Sequence, residues 1–144
     1  MELKSFSKIN LSLSVNRKLK KIGLHDIQSY FCLINLSDQI KIKKIKASKD
    51  TVKFKGQFAR YIKTTRNSII TALTILRERN LISNYYSILI NKKVPVFAGM
   101  GGGTSNAICL IKYLVRKKIN KNLLSILDNK IGSDLKLFFY EQGF

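Results

Sequence analysis

The feature that most restricts what this chain can fold into is the run Pro95-Val96-Phe97-Ala98-Gly99-Met100-Gly101-Gly102-Gly103-Thr104-Ser105-Asn106-Ala107, which holds half of its 8 glycines. Before it, Tyr85 to Ile90 reads as a strand; after it, Ala107, Ile108, Ile111, Leu114 and Val115 recur as one helical face. Three successive glycines carry no side chains to keep an anion from their backbone N–H groups. A following helix presents unpaired donors and its positive dipole end at the same place. Thr104 and Ser105 add hydroxyls, and a hydroxyl there can also reach a phosphate-borne Mg²⁺. Pro95 to Ser105 is therefore a candidate nucleotide-phosphate loop, against the plainer reading of a flexible helix-entry turn. Two familiar loops fail on spacing: Thr104 stands where the P-loop needs its second glycine, and it also breaks the dinucleotide pattern G-x-G-x-x-G.

The remaining patterning predicts one α+β domain. Ile9, Leu11, Leu13 and Val15 alternate as in an opening strand with one buried face. Asn16 to His25 is a basic connection, and Asp26 to Leu36 is apolar enough for a buried strand. Lys41, Lys43, Lys53 and Lys55 alternate with Ile40, Ile42, Val52 and Phe54, the pattern of solvated faces of antiparallel strands. Asn67 can cap a helix carrying Ile69, Ala72, Leu73 and Leu76 on one face, and Leu123, Leu124, Leu127 and Ile131 mark another. No repeat, heptad run or linker divides the chain. Leu137 to Tyr140 stands so near the C-terminus that little sequence remains to cover it, and further chain is expected after Phe144.

With 27 Lys+Arg against 8 Asp+Glu, the net charge of +19 suggests nucleic acid at first sight. The residue types weaken that reading. There are 21 Lys and only 6 Arg, beside 19 Ile and 11 Asn, the imprint of an AT-rich genome rather than of arginine forks chosen for phosphate. A dedicated nucleic-acid role is not expected; attraction for anionic small substrates is. No apolar run is long enough to span a membrane and no secretory core follows Met1, so a soluble, cytoplasmic protein with no membrane partner is expected. Cys32 and Cys109 lie far apart in apolar stretches and there is one histidine, which sets zinc aside and predicts buried free thiols.

Two further elements carry chemistry. Lys8 and Asn10, at i and i+2, point to one side of the opening strand and can aim a cation and an amide at a ligand. Asp134, after Gly132-Ser133, can accept a proton from a substrate hydroxyl. Taken singly, each is more readily a surface or turn residue.

In this order the three elements resemble the GHMP kinase superfamily. Ser7-Lys8-Ile9-Asn10-Leu11 is similar to A-K-I-N-L, Gly23 to Ile27 to G-Y-H-E-I, and Asn67 to Ala72 to N-L-I-x-x-A. Val94 to Ile108 is similar to I-P-x-x-A-G-L-G-G-G-S-S-D-A-A, and Gly132 to Phe138 to G-S-D-V-P-F-F. The resemblance implies a fold like ribosomal protein S5 domain 2. It also implies an ATP- and Mg²⁺-dependent kinase, and within the superfamily the branch that phosphorylates the 2-hydroxyl of a cytidine-diphosphate methylerythritol in non-mevalonate isoprenoid synthesis. Asp134 would then be the base and Lys8 its electrostatic partner, Pro95 to Ser105 would wrap the triphosphate, and Asn10 and His25 would lie on the substrate side. There are departures: Leu24 for tyrosine, Thr104 for serine, Asn106 for aspartate and Lys136 for proline. At 144 residues the chain is expected to be the N-terminal ATP-binding domain alone, 1–144, without the superfamily's C-terminal domain and so of uncertain turnover. The alternatives are another GHMP-type kinase, a truncated inactive product, or a basic RNA-binding module on an S5-like scaffold.

Overall fold

The computed structural model describes residues 1–18, 25–115, 119–132 and 134–139. Its strands are β1 (Glu2–Lys18), β2 (His25–Ile45), β3 (Thr51–Lys55) and β4 (Tyr85–Asn91), and its helices α1 (Ser68–Glu78), α2 (Gly102–Val115), α3 (Lys121–Ile131) and α4 (Leu135–Phe139). The four strands form one sheet in the order β1-β2-β4-β3.

Register explains the core. Ile40 and Ile42 of β2 stand opposite Ile90 and Ile88 of β4, which stand opposite Phe54 and Val52 of β3. Strand residues two apart share a face, so these six form one apolar surface, and the buried residues of the four helices join it in a single apolar cluster. Lys41, Lys43, Lys53 and Lys55 occupy the solvated face, as their alternation predicts. The expected antiparallel arrangement needs one correction, because β3 runs parallel to β4. The physical reason is α1: a helix between two strands is a crossover, which returns the chain in the same direction.

A second correction concerns the opening strand. The expected buried face, with Ile9, Leu11, Leu13 and Val15, is exposed, Leu11 to 67% and Val15 to 58%. Ile27 and Tyr30 on β2 are exposed as well. From Ser7 onward β1 pairs with β2 over 25–34, whereas β4 pairs with β2 over 39–45. The first two strands thus leave the sheet as a two-stranded ribbon, which from Asn10 onward no helix among the described residues covers. A bulge between Asn10 and Ser12 shifts its alternation, so that Leu13 comes to the face that carries Lys8, Asn10 and Ser29.

The apolar end of the described chain is better covered than its position suggests: Leu135 and Phe138 of α4 are buried, with Leu137 and Phe139 half-buried. Asn67 caps α1 by accepting from Ile69 and Ile70 N–H, both at 3.1 Å, and Asn120 caps α3. Cys32 and Cys109 are free thiols and half-buried rather than fully buried. No helix among the described residues is long and apolar enough to cross a membrane.

Candidate active site

β4 delivers the chain at Asn91 into the glycine run, which ends as the first turn of α2. Phe97, Gly99 and Gly101 have positive φ values of 64, 69 and 65°, alternating with residues that do not. Alternation of left-handed and ordinary backbone is the geometry that turns successive N–H groups toward one concave side. Gly101 is fixed by contact as well as by φ, since a Cβ there would come within 2.5 Å of the Phe138 ring. Gly102, Gly103 and Thr104 begin α2, so their N–H groups have no partners within the helix. The start of α1 is tied to the same place by Ser68 Oγ, which donates to Gly103 O at 2.7 Å.

The unpaired edge of β1 holds the loop from the other side. Lys8 N donates to Met100 O at 3.1 Å, and Ser105 Oγ donates to Phe6 O at 2.5 Å. These contacts satisfy an edge strand that would otherwise stand open. They also bring the Lys8 side chain, 5% exposed, beside Gly101, whose Cβ would lie 3.7 Å from Lys8 Cγ. Lys8 Nζ donates to Asn10 Oδ1 at 2.6 Å and stands 3.5 Å from Asp134 Oδ2. Asn10 Nδ2 in turn donates to Ser29 Oγ at 2.5 Å. Asp134 is placed by the turn between α3 and α4, where Gly132 lies close enough that a Cβ would be 3.4 Å from Thr104 Oγ1.

These elements surround a cavity of about 680 Å³ lined by Pro95 to Thr104, Asn106 and Asp134 on one side and by Tyr61 to Lys63 and Arg66 to Ile69 on the other. Two helix N-termini border it together with Lys63 and Arg66, which makes it suited to an anion. Of the residues singled out in the sequence, Lys8, Asp134 and the loop from Pro95 to Thr104 are brought together. Ser105 is not: it is buried, its hydroxyl bonded to β1 and 2.8 Å from Ser5 Oγ, so the hydroxyl expected at the phosphates is used inside the fold. Asn10 reaches the site through Lys8. His25 begins β2, but its side chain lies outside the described residues, as do Gly23, Leu24 and Ser133. Lys136, the departure from proline, pairs with Asp128 at 3.1 Å.

Sequence reasoning missed Asp38, Lys92 and the role of Asn106. Asp38 shares the parity of Ile40 and Ile42, so strand alternation alone puts it on the buried face. Lys92 carried no signal among 21 lysines.

No protein-family model matches the chain. Its fold nevertheless has a clear relative: a crystal structure of 4-(cytidine 5'-diphospho)-2C-methyl-D-erythritol kinase superposes with a TM-score of 0.70 at 26% identity, over 96% of this chain and 48% of that one. A homoserine kinase from Cytophaga hutchinsonii shares the fold at a TM-score of 0.53 and 16% identity, over 90% of this chain and 40% of that one. In class, then, this is an α+β chain with the fold of the N-terminal half of GHMP kinases. In particular it resembles 4-diphosphocytidyl-2-C-methyl-D-erythritol kinases, being 37% identical to that of Ureaplasma parvum over 96% of this chain and 52% of the relative. It is 38% identical to that of Pelagibacter ubique, over 94% of this chain and 49% of the relative. The chain spans about half the length of the curated relatives it matches.

Proposed function

We propose that residues 1–144 form the ATP-binding domain of a kinase that phosphorylates the 2-hydroxyl of 4-diphosphocytidyl-2-C-methyl-D-erythritol, a step of isoprenoid precursor synthesis, in the cytoplasm. The observation that carries this reading is the 3.5 Å approach of Lys8 Nζ to Asp134 Oδ2 at the rim of a glycine-loop cavity. A base, a cation and a set of backbone donors around one space are the parts that phosphoryl transfer requires.

In this reading the substrate hydroxyl lies against Asp134. Its proton passes to the carboxylate as its oxygen bonds to the γ-phosphorus, and the bond from that phosphorus to the β–γ bridging oxygen breaks, releasing ADP. Lys8 adds positive charge where the transferred group spreads its negative charge, and the N–H groups of Gly101 to Thr104 hold the phosphate oxygens. Asn10 fixes the Lys8 ammonium, and with His25 stands on the substrate side. The Thr104 hydroxyl, a hard oxygen at the end of the loop, would be the protein ligand to Mg²⁺, a cation that keeps waters and takes one or two protein oxygens beside phosphates; it would supply charge neutralisation.

Incubating the chain with Mg²⁺-ATP and the cytidine-diphosphate substrate, with ADP and the 2-phosphorylated product as readouts, tests the activity. Calorimetric titration with ATP tests the site independently of turnover. A chain that binds RNA with steep salt dependence and ignores Mg²⁺-ATP would instead be the basic module.

A further inference from the structure

Beneath the glycine run lies a buried carboxylate that the proposed chemistry does not use. Asp38 is fully buried and accepts from four donors. Its Oδ1 takes the backbone N–H of Lys93 at 2.8 Å and of Val94 at 2.9 Å. Its Oδ2 takes Asn106 Nδ2 at 2.9 Å and the Lys92 ammonium, itself 2% exposed. Three of the four partners immediately precede the loop; the fourth lies in the first turns of α2, just after it.

We propose that Asp38 is a positioning residue for phosphate binding, a single carboxylate on β2 that clamps both feet of the phosphate loop. The inference rests on the proposed function only for what the loop holds. Both N–H contacts fix the direction in which the chain leaves β4, while Asn106 fixes the start of α2, so the ten residues from 95 to 104 close a loop whose ends are set by one group. The clamp also reaches the cavity. Lys92 and Asn106 line it, Lys92 Nζ lies 3.3 Å from where a Cβ on Gly102 would stand, and Asn106 Oδ1 is buried with no partner among the described residues. Asn106 thereby acquires a reason: aspartate at that position would turn a donor to Asp38 into a second buried acceptor.

A buried, fully satisfied carboxylate could equally be holding the sheet together, and the molecule supplies its own control. Asp50 accepts from Arg77 at 2.8 Å and from Tyr86 N at 2.7 Å, tying α1 to the sheet at the other end of β4, away from the loop. The experiment compares the 144-residue chain with Asp38→Asn/Lys92→Met, which removes both charges together, and with Asp50→Asn. Amide hydrogen exchange without ligand, thermal midpoint and calorimetric ATP affinity are read for each. The double variant should speed exchange across 95–104 by about tenfold or more and weaken ATP binding by about tenfold, the scale of losing a charged hydrogen bond. Asp50→Asn, even at an equal drop in midpoint, should leave both near wild type. Asn106→Leu removes one donor and keeps the ion pair, so it gives the same pattern at smaller amplitude should the double variant not fold. Unchanged loop exchange in folded variants, or an equal rise in Asp50→Asn, overturns the clamp. If wild-type chain binds no ATP, the proposed function fails, and the exchange data still decide on Asp38.

Discussion

Lys8 Nζ and Asp134 Oδ2 lie 3.5 Å apart although nearly the whole chain separates them in sequence. β1 carries the lysine to the sheet edge, and the α3–α4 turn returns the aspartate to it. The ammonium is buried and the carboxylate side chain 41% exposed, so the cation is held in the protein while the carboxylate stays accessible, as the proposed role of a base requires. Asp134→Asn is expected to lower product formation by about 10²- to 10⁴-fold, the usual contribution of a general base, with little change in thermal midpoint. Quantifying ADP and phosphorylated product checks it; a variant with wild-type turnover would remove Asp134 from the mechanism.

Gly99 and Gly101 share a left-handed backbone but not their surroundings. Nothing lies within 4 Å of a Cβ at Gly99, whereas one at Gly101 meets the Phe138 ring at 2.5 Å. Gly99→Ala is expected to cost about 1 kcal/mol of backbone strain, and Gly101→Ala about 1–3 kcal/mol more from overpacking. Urea midpoints of the two variants measure the difference directly.

The uncovered ribbon gives a test of where the core ends. Leu11→Ser should change stability by less than about 0.5 kcal/mol because Leu11 is 67% exposed. Leu110→Ala, at a fully buried position, should cost about 2–5 kcal/mol. A large loss at Leu11 in chemical denaturation would mean that something packs on the ribbon.

Burial pushes the Cys109 thiol above its ordinary value of 9.0, Lys112 opposing this only in part. The folded chain therefore holds this proton to higher pH than the unfolded chain. Its contribution to stability is full below about pH 9 and is lost as pH rises through the folded value. Alkylation of Cys109 by iodoacetamide should be slow at pH 8, with an inflection above 9; fast labelling at pH 8 would contradict the burial.

Local order alone made much of this protein legible. The cap at Asn67, the lysine-faced strands and the glycine run before an apolar helical face all depend on residues a few positions apart, and propensity and periodicity act at that range. The same reasoning failed on the ribbon, where Ile9 to Val15 alternates as a buried strand does. Alternation shows that two faces differ, but only the packing of helices decides which apolar faces are covered. Ser105 and Asp38 mark the other limit. Whether a hydroxyl serves a ligand or a neighbouring strand, and which groups an inward-facing carboxylate meets, follows from partners about a hundred and about seventy residues away, brought into contact only when the chain closes on itself.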